Sequence, residues 1–341
     1  MKHMKEIGSE FWDVPTLAKK NSLFPELTQW FLSGRNALHA IIKDIGTVKS
    51  VALPSWCCDS MVKPFVDAGM EVTFYPVYFD RGLRQEFSFD SDVLFLMDYF
   101  GYTVSTRDLR SYKGIVIRDV THSFFSKSYI DADYYFGSLR KWCGVWTGGY
   151  AWAGDGHELP MENSDDLGYT LLREKAMQLK NSYINGYVND RGNRVADKGY
   201  LKIFDAAEEA LENIGIAPAA ERDIALAKQL DAGLLKARRR ANAKILRSAF
   251  PDWLIFQEMK ENDCPMFVPI LVPDGKRNEM RRFMINNDIY CPIHWPVSEY
   301  HQLEERTETI YQNELSLVCD QRYTEDDMFQ MVETIKAFME V

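Results

Sequence analysis

The stretch "KSVALPSWCCDSMVKPFVDAGMEVTFYPV", residues 49–77, decides the fold class. "KSVALPSW" is a short apolar run ending at a proline. "DSMVKPFVDAG" opens on Asp59, suited to N-capping, and stops at glycine; "EVTFYPV" is again strand-like. The alternation extends both ways. Upstream, "NALHAIIKDIG" (36–46) has apolar residues at helical spacing and closes on glycine. Downstream, "SDVLFLMDYFGY" (91–102), "KGIVIRDVTH" (113–122) and "DADYYFGSL" (131–139) supply further strands. Strands alternating with short helices predict an α/β fold with a mostly parallel central sheet covered on both faces. Such sheets bind ligands beyond the carboxyl ends of their strands.

Residues 164–249 are rich in Ala, Leu, Lys and Arg, and "ERDIALAKQLDAGLLKARRRANAKILRSAF" (221–250) reads as one long helix or two in series. After Pro251, "MFVPILVP" and "YCPIHWPV" read as strands and "KRNEMRRFMINNDI" as an amphipathic helix. "TEDDMFQMVETIKAFMEV" is a closing helix capped by Thr324. The expected division is 1–244, an N-terminal arm and large domain with a helical connector, and 245–341, a small C-terminal α/β domain.

The chain has 341 residues, 46% of them hydrophobic, and a formal charge of −10, which argues against a nucleic-acid partner. No secretory leader and no run of about 18 apolar residues is present, so a cytoplasmic protein with no membrane partner is expected. Six cysteines without C-x-x-C spacing are expected to be reduced thiols. Six histidines without H-x-x-x-H spacing give no support for a metal.

Chemistry concentrates in a few places. "FGSLRKWCGVWTGGY" (136–150) sets Lys141 among aromatic residues, with Arg140 beside it, where desolvation and a neighbouring cation would favour a nucleophilic amine. Ser138, three residues earlier, is close enough to touch a phosphate. "IVIRDVTHSF" puts Asp119 and His122 just past a strand end, facing one crevice; Asp119 suits a carboxylate that holds a heterocyclic N–H⁺, and equally an N-cap at a strand-to-turn junction. "SGRNAL" (33–38) opens a helix whose first N–H groups suit a phosphate monoester, as would those of any capped helix. Trp56, at the end of its strand, suits stacking on a planar cofactor or a place in the core.

Taken in order, the phosphate turn, aromatic, strand-end aspartate and lysine resemble fold-type-I pyridoxal phosphate enzymes, and within them the DegT and StrS branch of sugar aminotransferases. "SGRNALHAII" is similar to that family's SGT-x-AL helix start, "VLFLMDYFGY" to its strand ending in Y-G, and "VIRDVTHSF" to its E-D-x-A-Q/H stretch. "HWPVSEYHQL" and "LSLVCDQRYTEDD" are similar to its C-terminal H-Y, L-S-L-P and T-x-x-D. The resemblance implies pyridoxal 5'-phosphate as cofactor, with Lys141 and Asp119 catalytic. It also implies His122 near the ring oxygen, Trp56 stacking, and Ser138 with Gly34, Arg35 and Asn36 around the phosphate. The implied activity moves an amino group from an amino-acid donor, glutamate, to a keto sugar, nucleotide-linked, in a homodimer. His294 and Trp295 resemble the substrate-side His-Tyr and equally suit a half-buried strand pair. Arg191 and Arg194, in a glycine-containing stretch, suit an anion clamp or a solvated loop.

The sequence departs from the family in three places. Thr147 precedes the glycine pair where the family has Glu; Phe136 stands five residues before the lysine where it has Ser; and its R-M-S-x-x-Q-A-A segment is only faintly present in "NDRGNRVADKGYLKIFDAAEEAL". Other pyridoxal phosphate chemistry, elimination or desulfurization, and a non-catalytic regulatory protein on the same fold are the alternatives.

Overall fold

The computed structural model describes residues 6–14, 23–87, 90–103, 109, 111–126, 132–162, 164–189 and 198–340. From the N-terminus come β1 (Ile7–Gly8), β2 (Gln29–Phe31), α1 (Gly34–Ile45), β3 (Ser50–Pro54), α2 (Asp59–Asp67), β4 (Glu71–Tyr75), β5 (Val77–Phe79) and β6 (Leu83–Gln85). Next are β7 (Val93–Met97), β8 (Ile115–Asp119), β9 (Tyr134–Ser138) and β10 (Gly149–Ala153). The helices α3 (Tyr169–Asn189), α4 (Tyr200–Leu211), α5 (Glu221–Ala227) and α6 (Ala232–Ala249) follow. The chain closes with β11 (Phe267–Leu271), α7 (Arg277–Asn286), β12 (Ile289–Tyr290), α8 (Glu305–Asn313), β13 (Glu314–Val318) and α9 (Glu325–Met339).

The main sheet has seven strands in the order β2-β10-β9-β8-β7-β3-β4. Strands β9, β8, β7, β3 and β4 run parallel, and β10 is antiparallel to both its neighbours. Parallel neighbours need crossovers, which put helices on both faces; accordingly every residue of the central strand β7, "VLFLM", is buried. The register sets Met97 opposite Asp119 and Asp119 opposite Phe136, so the carboxyl ends of β7, β8 and β9 share one edge.

Helix α1 starts where it does because Ser33, in extended conformation, accepts the Asn36 N–H, and it ends at Gly46 with φ 72°. Its Leu38 and Ile41 pack with Val62 and Phe65 of α2 into the core over the sheet. A second core joins Ala243 and Leu246 of α6, Met280 and Met284 of α7, and Met331 and Ile335 of α9 to the antiparallel pair β11 and β13. Position 244 falls inside α6, and the N-terminal strand β1 pairs in parallel with β12, Ile7 opposite Ile289.

The structure corrects two of the local expectations. Asp59 is the first helical residue of α2, where its charge favours the positive end of the helix, and the N-cap is Cys58. "YCPIHWPV" is not a strand: only Ile289 and Tyr290 pair, and Pro292 and Pro296, which lack an N–H, interrupt any ladder beyond them. The 221–250 stretch is two helices, the second capped by Asp231, whose carboxylate accepts the Leu234 N–H at 2.9 Å. Thr324 caps α9 in a reciprocal box with Asp327.

Strand β10 begins at Gly149, which faces the start of α1: a Cβ there would lie 2.0 Å from the Ser33 carbonyl oxygen and 2.8 Å from Gly34 N. Gly149→Ala is therefore expected to push the α1 N-terminus off the sheet and to cost about 1–3 kcal/mol, read as a lowered denaturant midpoint at unchanged slope. A wild-type midpoint would mean that the contact relaxes freely.

Candidate active site

The residues with chemical potential stand at the carboxyl edge of the parallel strands. Asp119 ends β8 and is 2% exposed; its Oδ1 accepts the Thr121 N–H at 2.8 Å. Burial pushes its carboxyl up to about 6. Hydrogen bonds from Thr121 resist that rise, the Asp98 charge adds to it, and the Lys141 charge opposes it. Beneath it, Asp98 pairs with the buried Arg118 at 2.9 Å and accepts from the Ser123 hydroxyl, which fixes the turn after β8.

His122, in that turn, is buried, and its Nδ1 accepts the Phe100 N–H at 3.3 Å. That bond assigns the ring proton to Nε2, and burial with the nearby Lys141 charge brings the ring down to about 3, so His122 is a neutral donor. Lys141 closes the turn after β9 and its side chain is exposed to a cavity of about 430 Å³. Its charge is felt at Asp119, His122, His294 and the Cys58 thiol, and Lys141 lines one cavity with His122 and His294.

Ser138 lies at the end of β9 against the start of α1: a Cβ on Gly34 would sit 3.2 Å from Ser138 Cβ and 3.4 Å from the Gly137 carbonyl oxygen. The bare glycine thus brings the free N–H end of the helix to the serine, a cradle that a side chain would fill. Arg35, next in the turn, has a buried Nε without a hydrogen-bond partner among the described residues. Asn36 is otherwise committed. Its backbone N–H is used by Ser33, and its amide donates to the carbonyls of Ile214 and Gly215 at 3.3 and 2.5 Å, so it locks the turn.

The cavity is lined by His122, Lys141, His294 and Trp295 together, whereas Asp119, Trp56 and Ser138 are not among its lining residues. Trp56 is fully buried, stacked on Tyr99 at 5.0 Å, with its Nε1 donating to the His294 carbonyl at 2.6 Å. The ring lying nearly parallel to His122 is Trp295, 5.9 Å away at 18°. Arg191 and Arg194 lie outside the described residues.

Sequence reasoning missed several contributors. The N-terminal arm enters the cavity with Ser9, Glu10 and Phe11, held by Arg322, which donates to the carbonyls of Ser9 and Glu10, and by Lys180, which donates to Glu10 O at 2.6 Å. No signal in an isolated "GSEFW" foretells a contact with residues some three hundred positions on. Arg239 also lines the cavity, buried, with one Nη unpartnered. Glu314 and Ser316 bind His294; a lone acid in the apolar strand "ELSLV" was the available clue. A second recess, about 870 Å³, opens at the opposite, amino-terminal edge of the sheet, away from these groups.

The architecture is the α/β fold of the type-I pyridoxal phosphate-dependent transferases, with a mostly parallel central sheet. The chain is similar in structure to PseC of Helicobacter pylori, an aminotransferase involved in the biosynthesis of pseudoaminic acid (13% identity, 97% of this chain and 100% of that one, TM-score 0.65). It is also similar to NtdA of Bacillus subtilis with bound cofactor PMP (14% identity, 92% of this chain and 73% of that one, TM-score 0.62). A third similar structure is a DegT DnrJ EryC1 StrS aminotransferase from Brucella abortus (14% identity, 91% of this chain and 85% of that one, TM-score 0.60). At such identities the likeness is one of fold. No protein-family model matches the chain, and no curated protein matches it in sequence. Among the described residues no helix is long and apolar enough to cross a membrane.

Because the Asp119 carboxyl is raised in the folded chain, its ionisation opposes folding. The penalty is absent below the ordinary value of 3.8, grows as pH rises, and is complete above about 6. Asp119→Asn, measured without ligands, is expected to gain roughly 2 kcal/mol on wild type between pH 4 and pH 7, read by denaturant titration at each pH. A difference that does not change with pH would mean that Asp119 is not held out of water.

Proposed function

We propose that the protein is a pyridoxal phosphate-dependent aminotransferase moving an amino group from an amino acid, glutamate, to a keto sugar, nucleotide-linked. The observation that carries this reading is the convergence of Lys141 with a desolvated Asp119 and a neutral, donating His122 at the ends of adjacent strands, beside the Ser138 and Gly34 cradle. These residues fit the cofactor. The cradle suits a phosphate, and the buried Asp119 carboxyl, which has no ion pair among the described residues, suits a protonated ring nitrogen.

The cofactor, when bound, supplies an electron-accepting ring. Ser138 and the first N–H groups of α1 hold the phosphate, with the Arg35 guanidinium adding positive charge at that turn. Asp119 would hold the ring nitrogen in its protonated form, and burial would make its charge count for more than it does in water. His122, with its proton on Nε2, would donate a hydrogen bond to the ring oxygen. Lys141 would be the amine that holds the cofactor and moves a proton at the substrate α-carbon. Arg191 and Arg194 are proposed as an anion clamp, and His294 and Trp295 as the substrate-side wall. Support for this wall is that the imidazole of His294 and the indole of Trp295 line the same cavity as Lys141. We further propose a cytoplasmic homodimer.

The test is spectroscopic. Wild-type protein given pyridoxal phosphate is expected to develop a near-visible band that is red-shifted from that of the free cofactor, stays with the protein through desalting and bleaches on adding glutamate. Lys141→Ala is expected to retain cofactor, weakly, and to lose both the band and multiple turnover, a fall of at least a thousandfold. Wild-type protein that takes up no cofactor, or Lys141→Ala that still turns over, overturns the assignment.

A further inference from the structure

Glu314 and Ser316 lie two apart on β13 and so on one face of the strand, and the loop carrying His294 docks there through the Ser316 N–H, which donates to the Pro292 carbonyl at 3.0 Å. Three more bonds close a ring. The His294 N–H donates to Glu314 Oε2 at 2.7 Å, the Ser316 hydroxyl donates to Glu314 Oε1 at 2.5 Å, and His294 Nδ1 meets Ser316 Oγ at 2.8 Å. Glu314 and Ser316 are wholly buried, and the imidazole they hold lines the cavity that also takes Lys141.

A proton count follows from these bonds. The serine has one hydroxyl proton, and when Glu314 is ionised that proton is given to Oε1. Ser316 Oγ can then only accept, so His294 carries its proton on Nδ1 and leaves Nε2 bare. When Glu314 is protonated, Oε2 still accepts the His294 N–H, so the acid proton sits on Oε1 and donates to Ser316; the serine then donates to Nδ1, and His294 carries its proton on Nε2. One carboxyl, buried behind the wall, decides whether the imidazole offers a lone pair or an N–H.

We propose that Glu314 and Ser316 are positioning residues for His294, and that Glu314 is a proton store for the cavity, loaded and unloaded through Ser316. The transfer balances. As Nε2 takes a proton from a ligand, Nδ1 passes its own to Ser316 Oγ and Ser316 passes its hydroxyl proton to Glu314 Oε1. Three bonds to hydrogen form and three break, with no change of oxidation state.

The surroundings suit this role. Burial raises the Glu314 carboxyl to about 8, against the hydrogen bonds from Ser316 and His294 and the charge of Arg277 on α7. The Cys291 thiol, pushed up by burial to about 12, stays neutral beside it with Arg281 nearby. Burial, His122 and Lys141 hold His294 well below its ordinary range, so near pH 8 the carboxyl is the member of the ring that titrates. His122 offers a fixed N–H 6.2 Å away, ring to ring, and His294 supplies the group that reverses. A use in catalysis rests on the aminotransferase reading above; the tautomer switch does not.

The experiment is a pH titration of ¹⁵N-histidine-labelled full-length protein, without cofactor, with His294 assigned by His294→Gln. In wild type the two ring nitrogens are expected to exchange their protonated and unprotonated shifts, with a midpoint near pH 8. Both Glu314→Gln and Ser316→Ala are expected to abolish the exchange between pH 6 and 10. Ring shifts that stay constant in wild type, or a midpoint that survives in Ser316→Ala, overturn the proposal; the wild-type titration decides even where Glu314→Gln fails to fold. With cofactor and substrate, the kcat limb near pH 8 is expected to disappear in Ser316→Ala while cofactor uptake is kept. Failure of cofactor uptake by wild type would sink the aminotransferase reading and leave the titration to judge the relay.

Discussion

The parallel register of β7, β8 and β9 is the constraint on which the cavity depends. Each strand in that ladder ends at the same level, so the turns that follow must share one edge, and Tyr99, Asp119, His122, Ser138 and Lys141 are brought together by backbone pairing before any side chain contributes. The antiparallel β10 completes the arrangement from the other side, pressing Gly149 against the Ser33 carbonyl and so holding the start of α1 against Ser138. Hydrogen-bonded ladders are stiff, which gives the site a fixed frame.

Desolvation then sets the chemistry. The same loss of water raises the carboxyls of Asp119 and Glu314 and lowers the imidazoles of His122 and His294, so these four titratable groups are biased toward their neutral forms. Their hydrogen bonds are what distinguish them. Phe100 fixes the His122 tautomer through a backbone N–H that cannot reverse, while Ser316 meets His294 with a hydroxyl that can. Polar groups buried and hydrogen-bonded in this way interact strongly with one another.

The walls come from parts of the chain far from the sheet edge. The arm at residues 6–14 is tied to the C-terminal half through β1 and β12, the Tyr323 hydroxyl and Arg322, while its Asp13 carbonyl accepts from Gly144, next to the lysine turn. Arg322 also lies 4.0 Å over the Phe11 ring, adding a cation–π contact to the same seam. The cavity is therefore assembled from the first residues, the middle turns and the last third of the chain.

The sequence alone determined the parallel strand and helix alternation, because apolar periodicity, caps and glycine stops are local signals: α1, β3, β4, β7, β8, β9, β11, α7 and α9 were all legible from them. It also singled out Lys141, Asp119, His122 and Ser138, since each either ends a readable strand or follows one by three residues. What it could not supply was anything fixed by long-range packing. The short strands β2 and β10 gain their conformation from their neighbours, the run from Tyr290 to Val297 is broken by prolines within an otherwise strand-like pattern, and Trp56 could not be told apart as a stacking ring or a core one. Only the tertiary structure could join Glu10, Arg239, Glu314 and Ser316 to the cavity, because burial and hydrogen-bond partners belong to the folded whole, and those decide which ring nitrogen holds a proton.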